Sequence, residues 1–427
     1  MPGEAWPEIR IGDLGEVFTG RTPSSDHPAY FGDDLPFITP GDMHQGKYAR
    51  ATERSLSLEG AALLKRIKIP ANSICVSCIG WQMGEAIMTA QPSFTNQQIN
   101  TIVPSSKVEP SFLYYSLRPR KQELLSLGAA AGVRTPILNK SAFCDLKVKI
   151  PPLSVQHWIA GILSAYDDLI ENNNRRIKIL EEMAQMIYRE WFVNFLFPDQ
   201  TKIKKVNSSL GPIPQGWTVK RLGELIAVDK GVSYNGAGLT EDGNPMVNLK
   251  NILPGGGFRR DATKPYSGDF KLRHTVKPGD VVLANTDLTQ VGNIVATPVL
   301  IPYIGDGKPI LISHHLFAVR CLLDVSPLFL YHLMLEEGFR GFAKGFAVGT
   351  TVLGMPKEGI LDFTFACPPL SLIKRFVEHV SPSHALVETL YNQSEKLSQT
   401  RDLLLPKLIS GETNVEHFGR EAVSQIS

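Results

Sequence analysis

The sequence predicts an α+β fold in which two tandem β-rich domains, related by an internal pseudo-two-fold repeat, are held apart by two long helices that pair as an antiparallel coiled coil. Three observations predict this arrangement. The chain has 427 residues, more than one compact core usually holds. The segment IPPLS at 150–154 recurs as CPPLS at 367–371. Each copy is followed by about forty residues with helical periodicity.

The repeat extends over most of the chain. WPEIRIGDLGEVFTG from Trp6 matches WTVKRLGELIAVDKG from Trp217, and EPSFLYYSL from Glu109 matches SPLFLYHLM from Ser326. Between them, IPANSICVSCIGWQMGEAIMT matches KPGDVVLANTDLTQVGNIVAT, which pairs Gly84 with Gly292. The blocks occur in the same order, and differences in loop length account for small changes in their offset. The sequence therefore indicates an internal duplication.

Each copy begins with a β-rich domain, at 1–150 and at 216–367. Short runs rich in Val, Ile, Phe and Thr, such as SICVSCI and DVVLAN, alternate with Gly and Pro, which is typical of strands and turns. Each copy also contains one helical stretch, SFLYYSLRPRKQELLSL in the first and PLFLYHLMLEEGFRGFA in the second. This mixture predicts an α+β domain in both copies.

Long helices are predicted at 151–198 and 368–412. Their apolar residues recur three or four positions apart and form one narrow seam on each helix, so the two seams are most economically buried against each other. The seam residues are Ile159, Leu163, Tyr166, Ile170, Ile177, Leu180, Ala184 and Ile187, then Phe376, Val380, Val387, Leu390, Leu397, Leu404 and Leu408. The Pro pairs end the preceding strands, and Ser154 and Ser371 are expected to cap the helices. We expect Pro382 to break or kink the second helix.

The composition is that of an ordinary cytoplasmic protein. Hydrophobic residues make up 43% and charged residues 20% of the chain, which disfavours disordered and fibrous classes. The first residues lack the signal-peptide pattern, no apolar run is long enough for a membrane span, and five cysteines, an odd number, suit reduced thiols. Lys plus Arg is 44 against 42 for Asp plus Glu, so net charge does not indicate nucleic-acid binding.

Two segments are expected to lie outside the domains and the long helices. Polar residues with Pro and Gly predict a linker at 199–215, and a tail is predicted at 413–427.

Several motifs together resemble one known family, the DNA specificity subunits of type I restriction-modification systems. They are LEEMAQMIYREWFVNFLFP at 180–198, TRDLLLPKLISGE at 400–412, the two PPLS junctions, RIGDLGEVFTGRTP, RLGELIAVDKG and TNQQI. The resemblance covers nearly the whole chain, in the family's order of recognition domain, helix, recognition domain, helix. It implies that each β-rich domain is a target-recognition domain that reads one half of a bipartite DNA sequence, and that the helices set the gap.

The resemblance also implies partners and the absence of catalysis in this chain. Two methylation subunits and ATP-driven restriction subunits are expected to assemble on it. The chain is expected to hold no cofactor, with S-adenosylmethionine, ATP and magnesium on the partner subunits. No association with a membrane is expected.

The candidate DNA-binding residues are polar side chains in loops that the repeat marks as equivalent. Arg pairs well with guanine edges, Asn and Gln with adenine, and Lys with phosphate. In the first domain the candidates are Arg21, Thr22, Trp81, Gln82, Asn96, Gln97, Gln98 and Arg134. In the second they are Lys230, Tyr234, Asn235, Asn285, Asp287, Gln290, His314, His315, Thr350 and Thr351. The plain alternative for each is a solvated loop residue.

Other chemistries are weaker alternatives. Cys75 and Cys78 form a C-x-x-C, but the repeat places Leu283 and Thr286 at the equivalent positions, so a zinc site lacks its second pair. GDGKP at 305–309 lacks the spacing of a phosphate loop and reads as a turn. His314 and His315 are adjacent, so on a strand they would face opposite ways, one buried and one exposed.

The alternative function is a non-catalytic adaptor whose domains bind protein or RNA. A self-sufficient enzyme is disfavoured because both Pro-Pro pairs are followed by Leu, whereas amino-methyltransferases grip an extruded base with Asn or Asp, two prolines and an aromatic residue. Pro198-Asp199 with 269–271 (DFK) is a loose nuclease-like pattern that occurs frequently by chance. Co-purification of methylation and restriction subunits discriminates between the two readings.

Overall fold

The computed structural model describes residues 6–80, 82–129, 135–198, 203–234, 236–288, 292–305, 307–350 and 352–413. The chain divides into two compact units. The first unit is Met1–Arg175 with Asn392–Ser427, and the second is Arg176–Tyr391. Each unit therefore combines one β-rich domain with a part of both long helices. Within the described ranges, no helix has both the length and the apolar character that a membrane span requires.

The first β-rich domain is a mixed α+β structure. Its strands are β1 (Glu8–Arg10), β2 (Gly15–Thr19), β3 (Phe31–Gly32), β4 (Leu35–Ile38), β5 (Tyr48–Ala49), β6 (Arg54–Leu56), β7 (Ile74–Ser77), β8 (Ala86–Thr89), β9 (Phe94–Thr95), β10 (Ile99–Pro104) and β11 (Lys147–Lys149). Its helices are α1 (Ile11–Leu14), α2 (Leu58–Leu63), α3 (Pro110–Leu117), α4 (Lys121–Gly128) and α5 (Lys140–Asp145). The long helix α6 (Leu153–Tyr188) follows, and a π-helical turn at Arg189–Val193 ends it.

Two main sheets form this domain, in the strand orders β2-β10-β7-β8-β5 and β3-β6-β4-β9. Its largest apolar cluster joins sheet residues to α3 and to the long helices, and includes Phe112, Ile159, Leu163 and Leu408. Fully buried aromatic and aliphatic side chains contribute roughly 1.5–3 kcal/mol each. The domain and the helix segments of the first unit therefore share one core.

The second β-rich domain repeats this plan. Its strands are β12 (Lys205–Ser208), β13 (Gly211–Pro214), β14 (Thr218–Arg221), β15 (Ile226–Lys230), β16 (Leu239–Val247), β17 (Lys264–Tyr266), β18 (Thr275–Val276), β19 (Val281–Ala284), β20 (Thr286–Asp287), β21 (Pro298–Leu300), β22 (Ile310–Ile312), β23 (Leu316–Cys321), β24 (Leu353–Gly354) and β25 (Thr364–Cys367). Its helices are α7 (Pro327–Leu335), α8 (Glu337–Lys344) and α9 (Glu358–Leu361), followed by the long helix α10 (Leu370–Ser410). The main sheets have the orders β15-β23-β19-β21 and β17-β16-β22-β18.

An aromatic cluster forms the core of the second unit. Tyr188 of α6 and Phe376 of α10 lie 5.7 Å apart between ring centroids, and Phe329 of α7 lies 5.7 Å from Tyr188. Trp191 in the π-helical turn is 6.0 Å from Phe376. The motif IYREWFVNF thus supplies core aromatic residues to this unit.

Strand pairing shows that the two domains share one backbone register. Ile99 of β10 pairs with Ser77 of β7, as Leu316 of β23 pairs with Ala284 of β19. The parallel pair Phe37 with Phe94 corresponds to Met246 with Leu311. The duplication predicted from the sequence is therefore confirmed, together with the α+β class.

The register corrects one part of the sequence alignment. Cys75 pairs with Thr101 in the first domain, and Val282 pairs with Ala318 at the same place in the second. Cys75 therefore corresponds to Val282, and Cys78 corresponds to Asn285. The sequence alignment matches these two cysteines to Leu283 and Thr286 instead. Gly84 donates its backbone N–H to Ser77, and Ala296, not Gly292, makes the equivalent bond to Ala284. Both Gly84 and Ala296 have a left-handed backbone, with φ of 88° and 62°. The loop that this hydrogen bond closes spans 78–83 in the first domain and 285–295 in the second. Because the second loop is longer, the sequence alignment pairs Gly84 with Gly292 and not with Ala296.

The long helices run antiparallel within each unit. In the second unit Ile177 clusters with Leu390, and further along α6 Tyr188 packs on Phe376. In the first unit Arg401 contacts Asp167. Both helices begin directly after the Pro pairs, at Leu153 and Leu370, so Ser154 and Ser371 lie inside the first turn and the predicted serine caps are wrong. Carbonyls of Pro152 and Pro369 accept the first helical hydrogen bonds instead.

The structure also corrects the expectation about Pro382. The predicted break near Pro382 is absent from the described part of α10, which is continuous from Leu370 to Ser410. Val380 is fully buried and Val387 nearly so, so that packing on both sides of the proline stabilises the continuous helix. The predicted linker at 199–215 contains the hairpin β12–β13, in which Val206 pairs with Ile213.

Candidate nucleic-acid interface

A close backbone approach gathers most of the predicted residues of the first domain. Gly20 at the end of β2 donates to Ile99 O at 3.1 Å, and Arg21 N donates to Thr95 O at 3.0 Å. A Cβ at Gly20 would lie 2.2 Å from Asn96 O, so only glycine fits. This contact places Arg21 beside residues 96–98, which we name the first reading turn.

Side-chain hydrogen bonds order the first reading turn. Thr22 Oγ1 donates to Gln97 Oε1 at 2.6 Å, and Asn96 Nδ2 donates to Gln98 Oε1 at 2.9 Å. Arg21 and Gln97 are exposed, Thr22 and Gln98 are half-buried, and Asn96 is buried. Arg21 and Gln97 are therefore the most accessible members of this group.

A neighbouring loop carries Gln82. Cys78 N donates to Gln98 O at 2.8 Å, which joins this loop to the first reading turn. Gln82 is exposed, and its Nε2 lies 3.5 Å from His44 Nε2. His44 is not among the candidate DNA-binding residues predicted from the sequence. It ends the 3-10 turn Pro40–His44, which follows β4. Trp81 and Arg134 lie outside the described residues.

The second domain builds an equivalent turn with different side chains. Gly231 donates to Leu316 O at 3.2 Å, and a Cβ there would lie 2.2 Å from Ile312 O and 2.3 Å from Ser313 O. We name residues 313–315 the second reading turn. Asn285 N donates to His315 O, as Cys78 N donates to Gln98 O. His314 and His315 therefore occupy the places of Gln97 and Gln98.

The two histidines do not face opposite ways, which corrects the expectation from a strand. They lie in the turn between β22 and β23, both are half-buried, and their ring centroids are 4.0 Å apart. Thr286 Oγ1 lies 2.8 Å from His315 Nδ1, and the Tyr234 ring lies 5.9 Å from His314. Burial lowers the pKa of both histidines, with further lowering from Lys230 and, for His315, from His314. At neutral pH both rings are therefore neutral and offer one donor and one acceptor each.

Unused hydrogen-bonding atoms cluster at the second reading turn. Asn285 Oδ1, Ser313 Oγ and His314 Nδ1 are buried and, among the described residues, have no hydrogen-bond partner. A buried polar atom without a partner typically costs about 1–3 kcal/mol. Such atoms at a predicted reading site are consistent with a ligand that supplies the missing bonds.

Other predicted residues of the second domain lie in different surroundings. Asp287 is fully buried, and its carboxylate accepts hydrogen bonds from the N–H groups of Ile294 and Val295, so it holds the long loop after β20. Asn285 is 1% exposed and donates to His314 O. Lys230 and Thr350 are exposed. Asn235, Gln290 and Thr351 lie outside the described residues.

The C-x-x-C thiols are buried inside the first domain. Burial raises the pKa of Cys75 to about 12 and that of Cys78 to about 11, so both are protonated at neutral pH. Zinc and redox chemistry need the thiolate form. Both side chains are buried in the hydrophobic core of the domain.

A second surface lies on the helix of the second unit. Ile179, Met183, Met186 and Val193 are each at least half exposed, and their spacing places them along one side of α6 and its π-helical end. We name these residues the exposed stripe. Large apolar side chains exposed in a row are typical of a protein–protein contact.

Comparison with known proteins shows what the chain is similar to. Residues 3–182 match the family model described as type I restriction modification DNA specificity domain. The chain is 27% identical to the type I restriction enzyme MjaIX specificity subunit of Methanocaldococcus jannaschii, over 97% of this chain and 94% of the relative. It is 35% identical to the HindI specificity subunit of Haemophilus influenzae over 42% of this chain and 39% of that one.

A solved structure shares the fold. The crystal structure of a type I restriction-modification system S subunit from M. genitalium superposes with a TM-score of 0.52 and 13% identity, covering 94% of this chain and 96% of that one. The motifs, the duplicated domains, the paired long helices and the similar proteins agree. Residues 3–182 thus match the type I DNA specificity family, and the chain as a whole is similar to type I restriction enzyme specificity subunits.

Proposed function

We propose that this chain reads a bipartite duplex DNA target, with one half-site read by each domain, and performs no catalysis itself. One observation carries the proposal. The two domains share a backbone register, yet the two reading turns present Gln97 and Gln98 in one domain and His314 and His315 in the other. A common frame with different hydrogen-bonding groups suits two modules that recognise different sequences.

The chemistry of the first reading turn suits base edges. The amide of Gln97 offers both a donor and an acceptor, the pattern that adenine presents in the major groove, and the Arg21 guanidinium matches guanine O6 and N7. Thr22, which donates to Gln97, fixes the orientation of this amide in the free protein. The first domain therefore has side chains for two kinds of base.

The neutral histidines of the second reading turn each offer one donor and one acceptor. Lys230 lies close enough to both rings to lower their pKa and supplies a cation beside them. Cations close to base-reading groups commonly contact phosphate. The second domain therefore combines base-reading and phosphate-binding groups in one place.

The exposed stripe supports a scaffold role toward partner subunits. We propose that two methylation subunits, which bind S-adenosylmethionine, and ATP-driven restriction subunits assemble on this chain. ATP and magnesium are likewise expected on these partner subunits and not on this chain. Met residues adapt readily to a partner surface. Met183→Glu with Met186→Glu should abolish co-purification of the methylation subunits, whereas Lys178→Glu on the same helix should retain it.

The function is tested by exchanging the reading turns. Gln97→His with Gln98→His, and separately His314→Gln with His315→Gln, are expressed with the partner subunits, and methylated adenines are mapped across the host genome. Each pair should change only the half-site read by its own domain. Gln122→His, at an exposed position of α4, is the matched control and should leave the target unchanged. Changes in both halves from one pair would contradict the assignment of one half-site to each domain.

The adaptor alternative makes a different prediction. If the domains bind protein or RNA, the purified complex should show no preference between its methylated target sequence and a scrambled duplex. A clear preference for the target excludes it.

A further inference from the structure

A basic groove lies beside the second reading turn. This cavity of about 540 Å³ is lined by Lys230, Lys271, Arg273 and Lys357 together with Asp229 and Asp269. Residues 231–233 form part of its wall, and Val232 O accepts a hydrogen bond from His314 N. The groove is therefore continuous with the turn proposed to read DNA.

Positive charge predominates in the groove. All four cations are exposed, and within the described ranges none of them forms an ion pair. Of the two carboxylates, Asp229 accepts from Arg320 at 3.2 Å, so its charge is already matched. Burial lowers the pKa of the neighbouring His274, and Arg273 and Lys271 lower it further, which is the effect of a positive local potential. The groove thus suits an anion.

The shared register reveals cations at the same places in the first domain. Val276 pairs with Ile310 as Ile69 pairs with Ser93, so the 3-10 turns Leu272–His274 and Lys65–Ile67 correspond and Arg273 matches Arg66.

The second match lies at the start of a short helix. At the end of this helix, Leu146 N donates to Phe143 O in the first domain, and Phe363 N donates to Ile360 O in the second. Helix α5 therefore corresponds to α9, and Lys140 corresponds to Lys357. Arg66 and Lys140 are also exposed, and they have no ion pair within the described part of the chain.

The two domains share positive charges at equivalent positions but differ in the side chains of their reading turns. Two cations recur at equivalent positions, whereas Gln97 and Gln98 are replaced by His314 and His315. Every base pair has the same phosphates but a different edge, so backbone contacts can be the same in both domains while base contacts cannot.

We propose that Arg66 and Lys140 in the first domain, and Arg273 and Lys357 in the second, contact the phosphodiester backbone of duplex DNA at equivalent places and so position each reading turn. This inference rests on the proposed function and adds the residues that provide affinity independent of sequence. Lys271 and Lys230 extend the same groove in the second domain only.

The salt dependence of DNA binding tests this assignment. Arg66→Gln with Lys140→Gln, and Arg273→Gln with Lys357→Gln, are made in the full chain, purified with the partner subunits that accompany it. Binding to a fluorescent duplex carrying the mapped target and to a scrambled duplex is measured at several salt concentrations. Each lost phosphate contact reduces the slope of log Kd against log salt by about 0.9, so each pair should reduce it by roughly 2. Affinity should fall equally for both duplexes.

Control variants distinguish the effect of losing positive charge from effects on folding and on base recognition. Arg66→Lys with Lys140→Arg keeps the charge and should keep the slope. Arg10→Gln and Arg259→Gln remove exposed arginines that are paired with Asp13 and Asp261, and should also keep it. Thermal unfolding of every variant confirms folding.

Two outcomes would overturn the assignment. An unchanged slope in both Gln pairs would show that these cations do not contact phosphate, and a loss confined to the target duplex would make them base readers. The proposed function fails separately, if the unmodified complex does not distinguish the target from the scrambled duplex.

Discussion

Arg401 of α10 and Asp167 of α6 form an ion pair whose side chains are only 7% and 9% exposed. The Tyr115 hydroxyl donates to the other oxygen of Asp167 at 2.6 Å, so the carboxylate is bonded on both sides. Lys47 is also buried nearby and donates to Ser164 at 2.7 Å. The helix pairing of the first unit therefore contains a polar network as well as an apolar seam.

Asp167→Ala should destabilise the first unit strongly. It removes the buried carboxylate beside the Arg401 guanidinium, which among the described residues then keeps only the exposed Asp402, and the loss of one member of a buried pair typically costs about 3–5 kcal/mol. Urea denaturation measures the free energy of unfolding. Glu171→Ala breaks a more exposed pair with Arg50 and should cost less than about 1 kcal/mol. Similar losses in the two variants would contradict the importance of burial.

Gly20→Ala and Gly231→Ala should each disrupt the reading turn of their own domain. The new methyl group would lie 2.2 Å from a backbone oxygen in either case, so the turn must move. We expect a lower melting temperature and the loss of target recognition in one half-site. Gly161→Ala is the control, because its Cβ meets nothing within 4 Å and alanine favours a helix by about 1 kcal/mol. If the Gly20→Ala variant still recognised its half-site normally, DNA recognition would not depend on a fixed conformation of the first reading turn.

Glu181 should make the second unit less stable as pH rises. Burial and then Glu182 raise the pKa of Glu181 from 4.5 to about 7. Between these values the folded chain retains a proton that the unfolded chain has released, so the contribution to stability is complete below pH 4.5 and is lost as pH rises through 7.

Glu181→Gln should therefore be more stable than the unmodified chain above pH 7, by about 1–3 kcal/mol, and similar to it below pH 4.5. Thermal unfolding across this pH range measures the difference. Glu182→Gln, at a more exposed position, should give a smaller gain. A gain that does not depend on pH would exclude the titration of Glu181 as its cause.

Pro382→Ala should stabilise α10. Proline has no N–H, so the carbonyl of Glu378 lacks its helical donor, while the exposed ring makes little core contact. Alanine restores the bond, and we expect a gain of about 1–3 kcal/mol in the free energy of unfolding. Gln393→Ala, an exposed substitution on the same helix, should change it by less than about 0.5 kcal/mol. No gain from Pro382→Ala would show that the helix is already relaxed around the proline.

The apolar pattern predicted the helix pairing well because burial follows spacing directly. Ile159, Leu163 and Ala184 are buried in α6, and Phe376 and Leu390 are buried in α10. The pattern could not reveal Asp167 or Arg401, since charged residues at buried positions are recognisable only when their partner is known. The same limit explains Pro382, where packing on both sides overrides the local preference of proline.

Loop positions were predicted less well than strands. Periodicity gives no information on where a loop gains residues, so the sequence alignment pairs Gly84 with Gly292, although Ala296 adopts the left-handed conformation of Gly84. The turn between β22 and β23 has no glycine or proline at 313–315, so the sequence does not distinguish its two histidines from strand residues. The candidate residues for DNA reading remain predictions. The equivalence of the cations in the two domains depends on the strand register, which the sequence alone does not give.

The loop between β19 and β21 is held at both ends by bonds that the first domain also makes. Because Ser77 and Gly84 match Ala284 and Ala296, the longer segment can be grafted between the shorter one's anchor points without shifting either strand. Under the proposed function, a transplanted loop is expected to change the DNA sequence that is read, while the sheet beneath it stays as it is.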